Sequence, residues 1–210
     1  MAIEKSLLTQ RSLNPTENVM VNIGACGVLT AYIYSHLKLG DEVILFEPFF
    51  IWNRAFEIKG ITCKYAKPLY NEETGGYGEI DFKNIESLIS EKTKLILIIN
   101  PNNPDGRVWL RSELEQLAEI VKKHSQVNVF SDEVYCRNIY DETQFIPFCT
   151  IPEMFERTVS NYSFGKEFLC TGWRIGGASG PAHLIKPMVE YTKSSVDGNM
   201  FLEFALGHAF

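Results

Sequence analysis

The chain has 210 residues, of which 45% are hydrophobic and 22% are charged, and its formal net charge is −6. This composition is typical of a globular protein long enough to bury a substantial core. The acidic balance and the lack of a basic, aromatic-rich patch argue against a nucleic-acid partner. Apolar runs such as Leu95 to Ile99 are too short to span a bilayer, so we expect no membrane partner either.

The cysteines are scattered, odd in number and never in a CxxC spacing, which favours a reducing compartment and argues against a disulfide framework or a metal site. They are Cys26, Cys63, Cys136, Cys149 and Cys170. The first 15 residues contain no long apolar segment, so no signal peptide is expected. The expected location is cytoplasmic, and a mitochondrial one stays open if a transit segment precedes this sequence.

The first half of the chain alternates β-rich apolar runs with helical patterns. Val19–Ile23 is predicted as a strand, followed by the glycine turn GACG and a helix over residues 28–40 that is capped by Gly40. A glycine turn that opens a helix offers free backbone N–H groups to an anion, or it simply connects two elements. The next predicted elements are a strand at Glu42–Phe46, a helix at 51–58, a strand at 61–65, a polar surface loop at 70–79 and a helix at 82–90 with Asp81 as N-cap.

The second half continues the alternation. Residues 94–99 form a continuous apolar run, as expected of a parallel strand buried on both faces. It ends at NPNNPDG, a tract too rich in Asn, Pro and Gly for a helix. The remaining predictions are a helix at 112–123 with a capping box of Ser112 and Glu115, strands at 127–130, 158–161 and 175–178, and a helix from Pro181 onward.

Strands that alternate with helices predict an α/β fold with a mostly parallel central sheet and helices on both faces. Polar motifs follow five of the strands: GACG, EPFF, NPNNPDG, SDEVY and SFGK. Ligands of such sheets bind beyond the carboxyl ends of the strands, so these motifs predict one shared site.

The stretch NYSFGKEFLCTGWRIG carries the most specific chemistry. It places a hydroxyl, an amine and a guanidinium within 12 residues, at Ser163, Lys166 and Arg174. A lysine amine condenses with a carbonyl, and arginine binds phosphate through two parallel hydrogen bonds. These groups fit a ligand with both an aldehyde and a phosphate, such as pyridoxal 5'-phosphate. The alternative is two cations on a solvated loop.

A pyridoxal phosphate site also needs a carboxylate beside the pyridine nitrogen, because an opposite charge keeps that nitrogen protonated. Asp132, at the end of a predicted strand, is the candidate, unless it only caps a turn; Glu133 should point to the opposite face. Further cofactor-binding candidates are Tyr135 and Asn103 for the ring oxygen, Phe50 (or Phe49) for stacking, and the Ala25 and Cys26 amides for phosphate.

The ordered motifs GACG, GDEVILFEPFF, NPNNPDG, SDEVY, SFGK and GWRIG resemble the class I/II aminotransferases of the fold-type I pyridoxal phosphate enzymes. The similarity is greatest to the kynurenine aminotransferase and cysteine-S-conjugate β-lyase branch. The resemblance implies that Lys166 binds the cofactor aldehyde and is the catalytic base at the substrate Cα. It also implies that Asp132 pairs with the ring nitrogen and that Asn103 and Tyr135 hold the ring oxygen.

By the same resemblance, Phe50 stacks on the ring, and Ser163, Arg174, Ala25 and Cys26 bind the phosphate. The implied function is transfer of an amino group from an amino acid, such as kynurenine or glutamine, to a 2-oxo acid in a homodimer, with a β-lyase side activity.

Three departures from the family pattern qualify this expectation. Asp105 and Glu167 stand where the family has Thr or small residues, and Glu167 either affects its neighbour Lys166 or faces solvent. The chain is also shorter than the family's, so residues 1–210 are expected to form the cofactor-binding large domain without the N-terminal arm and C-terminal small domain. The alternative function is a truncated, inactive paralogue that binds the cofactor weakly or pairs with a full-length subunit.

Overall fold

The computed structural model describes residues 13–72, 76–140 and 142–195. A seven-stranded sheet with the order β1-β9-β8-β7-β6-β2-β3 lies at the centre. All its strands run in one direction except β9, which is antiparallel to both neighbours. The strands of this sheet are β1 (Val19–Ile23), β2 (Glu42–Phe46), β3 (Thr62–Ala66), β6 (Thr93–Ile99), β7 (Asn128–Asp132), β8 (Thr158–Ser163) and β9 (Ile175–Ser179). The predicted mostly parallel sheet is confirmed.

Helices cover both faces of this sheet. They are α1 (Pro15–Asn18), α2 (Gly24–His36), α3 (Asn53–Ile58), α4 (Phe82–Leu88), α5 (Arg111–Lys123), α6 (Phe164–Glu167) and α7 (Ala182–Ser195). Successive strand residues point to opposite faces, so Leu95 and Leu97 pack in the core beneath α2 and α7, whereas Ile96 and Ile98 pack beneath α5. No helix within these described ranges is long and apolar enough to cross a membrane.

Several predicted boundaries are wrong. Helix α2 begins at Gly24, so GACG forms its first turn instead of a preceding loop, and it ends at His36 instead of Gly40. The predicted loop at 70–79 is mostly the antiparallel hairpin of β4 (Pro68–Asn71) and β5 (Gly76–Ile80), which the polar composition does not reveal. The part of the predicted last helix beyond Ser195 lies outside the described residues.

The helix caps give a mixed result. The Asp81 side chain accepts from the Asn84 backbone N–H at 3.0 Å, which confirms the cap of α4. The capping box at Ser112 is wrong, because α5 begins one residue earlier; the Glu113 carboxylate accepts from the Leu110 N–H at 2.8 Å instead.

The topology brings the carboxyl ends of the parallel strands to one edge of the sheet. Asp132 is the last residue of β7, Ser163 is the last residue of β8, and Gly24 directly follows β1. Because β1, β7 and β8 run in the same direction, the polar motifs that follow them meet at this edge.

Candidate active site

A cavity of about 630 Å³ opens at this edge of the sheet. Its lining contains all nine candidate site residues from the sequence together with four that the sequence reasoning missed. The nine are Ala25, Cys26, Phe50, Asn103, Asp132, Tyr135, Ser163, Lys166 and Arg174; the four are Trp52, Ile99, Val134 and Thr171. The structure therefore places Lys166 and Asp132 on the same side of the sheet, within one cavity.

Lys166 reaches the cavity from the short helix α6, which begins directly after strand β8. The side chain is exposed, and its Nζ lies 6.0 Å from the centre of the Tyr135 ring. Ser163 ends the strand at the same point and is almost fully buried. A rigid strand end thus carries a hydroxyl and an accessible amine into the same space.

Asp132 is 2% exposed, and each of its carboxylate oxygens accepts a hydrogen bond from a neutral donor. Trp52 Nε1 donates to Oδ2 at 3.1 Å, and Asn161 Nδ2 donates to Oδ1 at 2.9 Å. Burial raises the pKa of Asp132 to about 7, since desolvation disfavours the charged form. Within the described part of the chain, Asp132 has no ion-pair partner. A buried carboxylate without a cation fits a ligand that brings a cationic N–H.

Glu133, the next residue, points away from the cavity, as predicted. It is fully buried and accepts from the Ser160 hydroxyl at 3.1 Å. Burial raises the pKa of Glu133 to about 7, with a further contribution from the charge of Asp132. The last residue of β7 and the residue that follows it therefore direct their carboxyl groups to opposite sides, and of the two Asp132 lines the cavity.

The walls of the cavity suit a flat ring with a polar substituent. Asn103 Nδ2 donates to the Tyr135 hydroxyl oxygen at 3.2 Å, so an amide and a phenol meet at one point. Phe50 lines the cavity and meets the Trp52 ring edge to face at 5.1 Å. Phe49 instead stacks on Tyr65, with the ring centres 5.5 Å apart. Of the two stacking candidates, the structure therefore places Phe50 at the site.

A second cavity of about 610 Å³ lies beside the first and is called here the neighbouring cavity. Phe49 and Asn102 face it, while Phe50 and Asn103 face the candidate site. The neighbouring cavity is lined by residues 46–49, 66–68, Gly78, Ile80, Leu97, Ile99, Asn102, Asp105, Arg107 and Trp109.

The opposite end of the candidate site suits an anion. Ala25 and Cys26 lie in the first turn of α2, whose N-terminus has no side-chain cap. The Arg174 guanidinium lies so close to Gly24 that a Cβ there would be 2.9 Å from Nη2. Gly176 allows strand β9 to pack closely against the start of α2, since a Cβ on it would be 2.4 Å from the Gly24 backbone. Backbone amides and a guanidinium thus converge as phosphate ligands do.

Two of the missed lining residues carry polar groups, and the sequence contains a weak signal for each. Trp52 lies two residues after Phe50, just beyond the motif EPFF, and its indole N–H is a donor that the sequence prediction did not include. Thr171 lies between Lys166 and Arg174, and its hydroxyl donates to the Gly165 carbonyl at 3.2 Å.

Of the two predicted alternatives for Glu167, the solvent-facing one is wrong. Its side chain is fully buried, and its Oε2 lies 3.0 Å from Nε of Arg137 in an ion pair. Burial raises the pKa of Glu167, and Arg137 partly offsets that rise. The Glu167 carboxylate is therefore paired with Arg137, which lies two residues after Tyr135 in the sequence.

Comparisons with known proteins agree with this geometry. Residues 5–196 match the family model described as aminotransferase class I and II. The chain is 40% identical over 188 residues to kynurenine–oxoglutarate transaminase of Dictyostelium discoideum, covering 83% of this chain and 43% of that one. It is 36% identical to kynurenine–oxoglutarate transaminase 3 of Mus musculus, covering 96% of this chain and 46% of that one.

The fold is also that of solved aminotransferases. N-succinyldiaminopimelate aminotransferase from Mycobacterium tuberculosis superimposes with a TM-score of 0.84 at 29% identity, covering 93% of this chain and 50% of that one. The chain thus spans about half the length of the curated relatives and of the solved structure that it matches. Because the family model matches most of the sequence, the chain belongs to the class I and II aminotransferase family.

Proposed function

We propose that this protein is a pyridoxal phosphate-dependent aminotransferase that moves an amino group from an amino acid to a 2-oxo acid. The observation that carries the proposal is the convergence in one cavity of an exposed lysine amine and a buried carboxylate that has no cationic partner among the described residues. Two cations on a solvated loop would not account for a buried carboxylate that faces the same cavity.

Each end of the cavity would hold a different part of the cofactor. Lys166 would bind its aldehyde, Asp132 its ring nitrogen, and Asn103 with Tyr135 its ring oxygen. Phe50 would stack on the ring. The Ala25 and Cys26 amides would bind the phosphate together with Ser163 and Arg174. When bound, pyridoxal phosphate supplies an electron-accepting ring that stabilises a carbanion at the amino-acid Cα.

We also propose Lys166 as the general base. Its amine is accessible, and it is the one lysine among the described residues that line the cavity. We therefore expect its Nζ to take the proton from the substrate Cα and return it during the reaction. Asp132 stays in place throughout, because neutral donors hold both of its oxygens.

The substrate class rests on the relatives. Two of them are named kynurenine–oxoglutarate transaminases, so kynurenine and 2-oxoglutarate are the first substrates to test. Arg174 is at the phosphate end, and no other arginine of the described residues lines the cavity. That the protein works as a homodimer stays a prediction. The β-lyase side activity and the cytoplasmic location stay predictions.

We favour catalysis over the inactive paralogue, because the relatives are transaminases and the charge of Glu167 is paired away from Lys166. The test uses purified protein titrated with pyridoxal phosphate, reduced with borohydride and digested for mass spectrometry. We expect a borohydride-stable adduct at Lys166. Lys166→Ala should abolish it, whereas Lys67→Ala, in the neighbouring cavity, should leave it intact.

Activity is measured separately, as spectral change on adding kynurenine and then 2-oxoglutarate. No adduct at Lys166 in the wild-type protein would refute the cofactor assignment. An adduct whose spectrum does not respond to kynurenine, glutamine or methionine would instead favour the inactive paralogue.

A further inference from the structure

Trp52 lies between the two features that would position a pyridine ring. It directly precedes helix α3, is 8% exposed and lines the candidate active site. Its indole N–H points at Asp132, 80 residues away in sequence, and its ring meets Phe50. Trp52 therefore contacts both Asp132, which would face the edge of the cofactor ring, and Phe50, which would stack on the face of that ring.

The hydrogen bond fixes the orientation of the carboxylate. Asn161 holds Oδ1 from the neighbouring strand β8, and Trp52 holds Oδ2 from the opposite wall of the site. Without the indole donor, Oδ2 would lose its side-chain donor, and the carboxylate would be left with Asn161 and the Val134 backbone N–H as donors, so its orientation would be less restricted. Because all three donors are neutral, they restrict the carboxylate without satisfying its charge.

The contact with Phe50 has a separate effect. Phe50 is 39% exposed, and the Trp52 ring contacts it with the ring centres 5.1 Å apart, so Trp52 restrains its orientation. The two rings meet at an interplanar angle of 73°, which is the edge-to-face arrangement that aromatic pairs prefer.

We propose that Trp52 is a positioning residue that aligns Asp132 and Phe50 for the pyridine ring of the cofactor. This inference rests on the proposed function for the identity of the ligand. It assigns Trp52 a polar role through its N–H, whereas a purely structural role would need only the volume of the ring.

The test compares Trp52→Phe with incorporation of benzothienylalanine at position 52, which keeps the size of the indole and replaces N–H by sulfur. Trp109→Phe is the matched control, since Trp109 is also buried but lines the neighbouring cavity. The first readout needs no cofactor: the ¹³C signal of the Asp132 carboxyl group is followed against pH and assigned by its loss in Asp132→Asn. The second readout is the dissociation constant of pyridoxal phosphate.

We expect the Asp132 titration to move to higher pH in both Trp52 variants, because a donor that stabilises the carboxylate is lost. The other titratable groups near it, Lys166, Tyr135, Arg174, Cys26 and Glu133, are unchanged in every variant. The dissociation constant should rise about tenfold, as expected for the loss of one hydrogen bond to a charged group. Trp109→Phe should change neither readout.

The outcomes separate the inference from the proposed function. If the titration moves but the wild-type protein does not bind pyridoxal phosphate, the ligand is wrong and the alignment of Asp132 by Trp52 stands. If the wild-type protein binds the cofactor and the benzothienyl variant matches it in both readouts, the positioning role is overturned. That variant keeps the packing, so it decides the case even if Trp52→Phe does not fold.

Discussion

Two cavities lie side by side at the same edge of the sheet, and their charged groups differ. In the neighbouring cavity, Arg107 pairs with Glu113 and lies over the Trp109 ring at 5.6 Å. The Asp105 carboxylate there accepts from Asn102 Nδ2 at 2.8 Å and from the Arg107 N–H at 3.1 Å. These charged groups are satisfied by the protein itself.

In the candidate active site the charged groups are incompletely matched. No cation from the described part of the chain pairs with the buried Asp132, and the amine of Lys166 is exposed. Since a buried charge is costly unless it is paired, the site retains a cost that a cationic ligand could remove. Position does not separate the two cavities, and the burial of the Asp132 carboxylate does. Matched substitutions in the two cavities can break or sharpen this comparison.

The largest difference is expected for the two aspartates. Asp132→Asn should weaken pyridoxal phosphate binding about a hundredfold, because the loss of a buried charge partner costs roughly 2–5 kcal/mol. The same change should raise the free energy of unfolding of the cofactor-free protein at pH 8 by up to a few kcal/mol. The Asn161 amide can flip to accept from the new amide, since its Oδ1 is buried without a partner.

The direction of this change in stability follows from the raised pKa of Asp132. The unfolded carboxyl ionises near pH 4, whereas the folded one holds its proton up to about pH 7. The Asp132 contribution to stability is therefore present below pH 4 and is lost as the pH rises to about 7. Asp132→Asn should stabilise strongly at pH 8 and little at pH 4, as measured by urea denaturation. Equal effects of Asp132→Asn and Asp105→Asn on cofactor affinity would contradict the comparison.

The second difference is expected for the two arginines. Arg174→Gln should raise the dissociation constant of pyridoxal phosphate about tenfold or more, because a charge-assisted contact to phosphate is lost. It should leave the affinity for pyridoxal, which has no phosphate, nearly unchanged. Both constants are measured by absorbance titration. Arg107→Gln should change neither, and a loss of pyridoxal affinity in Arg174→Gln would place this arginine at the ring instead of the phosphate.

Much of the fold and of the site could be predicted from the sequence. The apolar run at residues 94–99 favours burial on both faces, as in a covered parallel sheet. The candidate residues could be named because reactive side chains directly follow the strands, and parallel strands end at one edge. Asp132 and Ser163 are predicted to be close for that reason alone.

The features that were missed depend on contacts distant in sequence. Helix α2 can begin at Gly24 because Gly176 of strand β9 has no Cβ, which leaves room for the Gly24 backbone. The hydrogen bond from Trp52 to Asp132 joins a helix start to a strand end, and no local pattern reports it. The hairpin of β4 and β5 lacks the alternation of apolar residues that marks a strand, so only pairing between its two halves defines it.

The smallest and sharpest difference is expected for the adjacent phenylalanines, which face different cavities. Phe50→Leu should weaken pyridoxal phosphate binding several-fold, because an aromatic stack contributes about 0.5–1.5 kcal/mol beyond its buried area. It should change stability little, since Phe50 is 39% exposed. Phe49→Leu should do the reverse: the stack on Tyr65 is lost, and the free energy of unfolding falls by about 1 kcal/mol.

The cofactor dissociation constant is measured by titration with pyridoxal phosphate, and the free energy of unfolding by titration with urea. Each of the two variants is the control for the other. The comparison tests only the direction in which each side chain points, because both residues are phenylalanines in the motif EPFF after β2. If Phe49→Leu weakened cofactor binding while Phe50→Leu did not, the ring would lie in the neighbouring cavity. The unmatched Asp132 carboxylate would then have no partner in the reaction, and the two cavities would exchange roles.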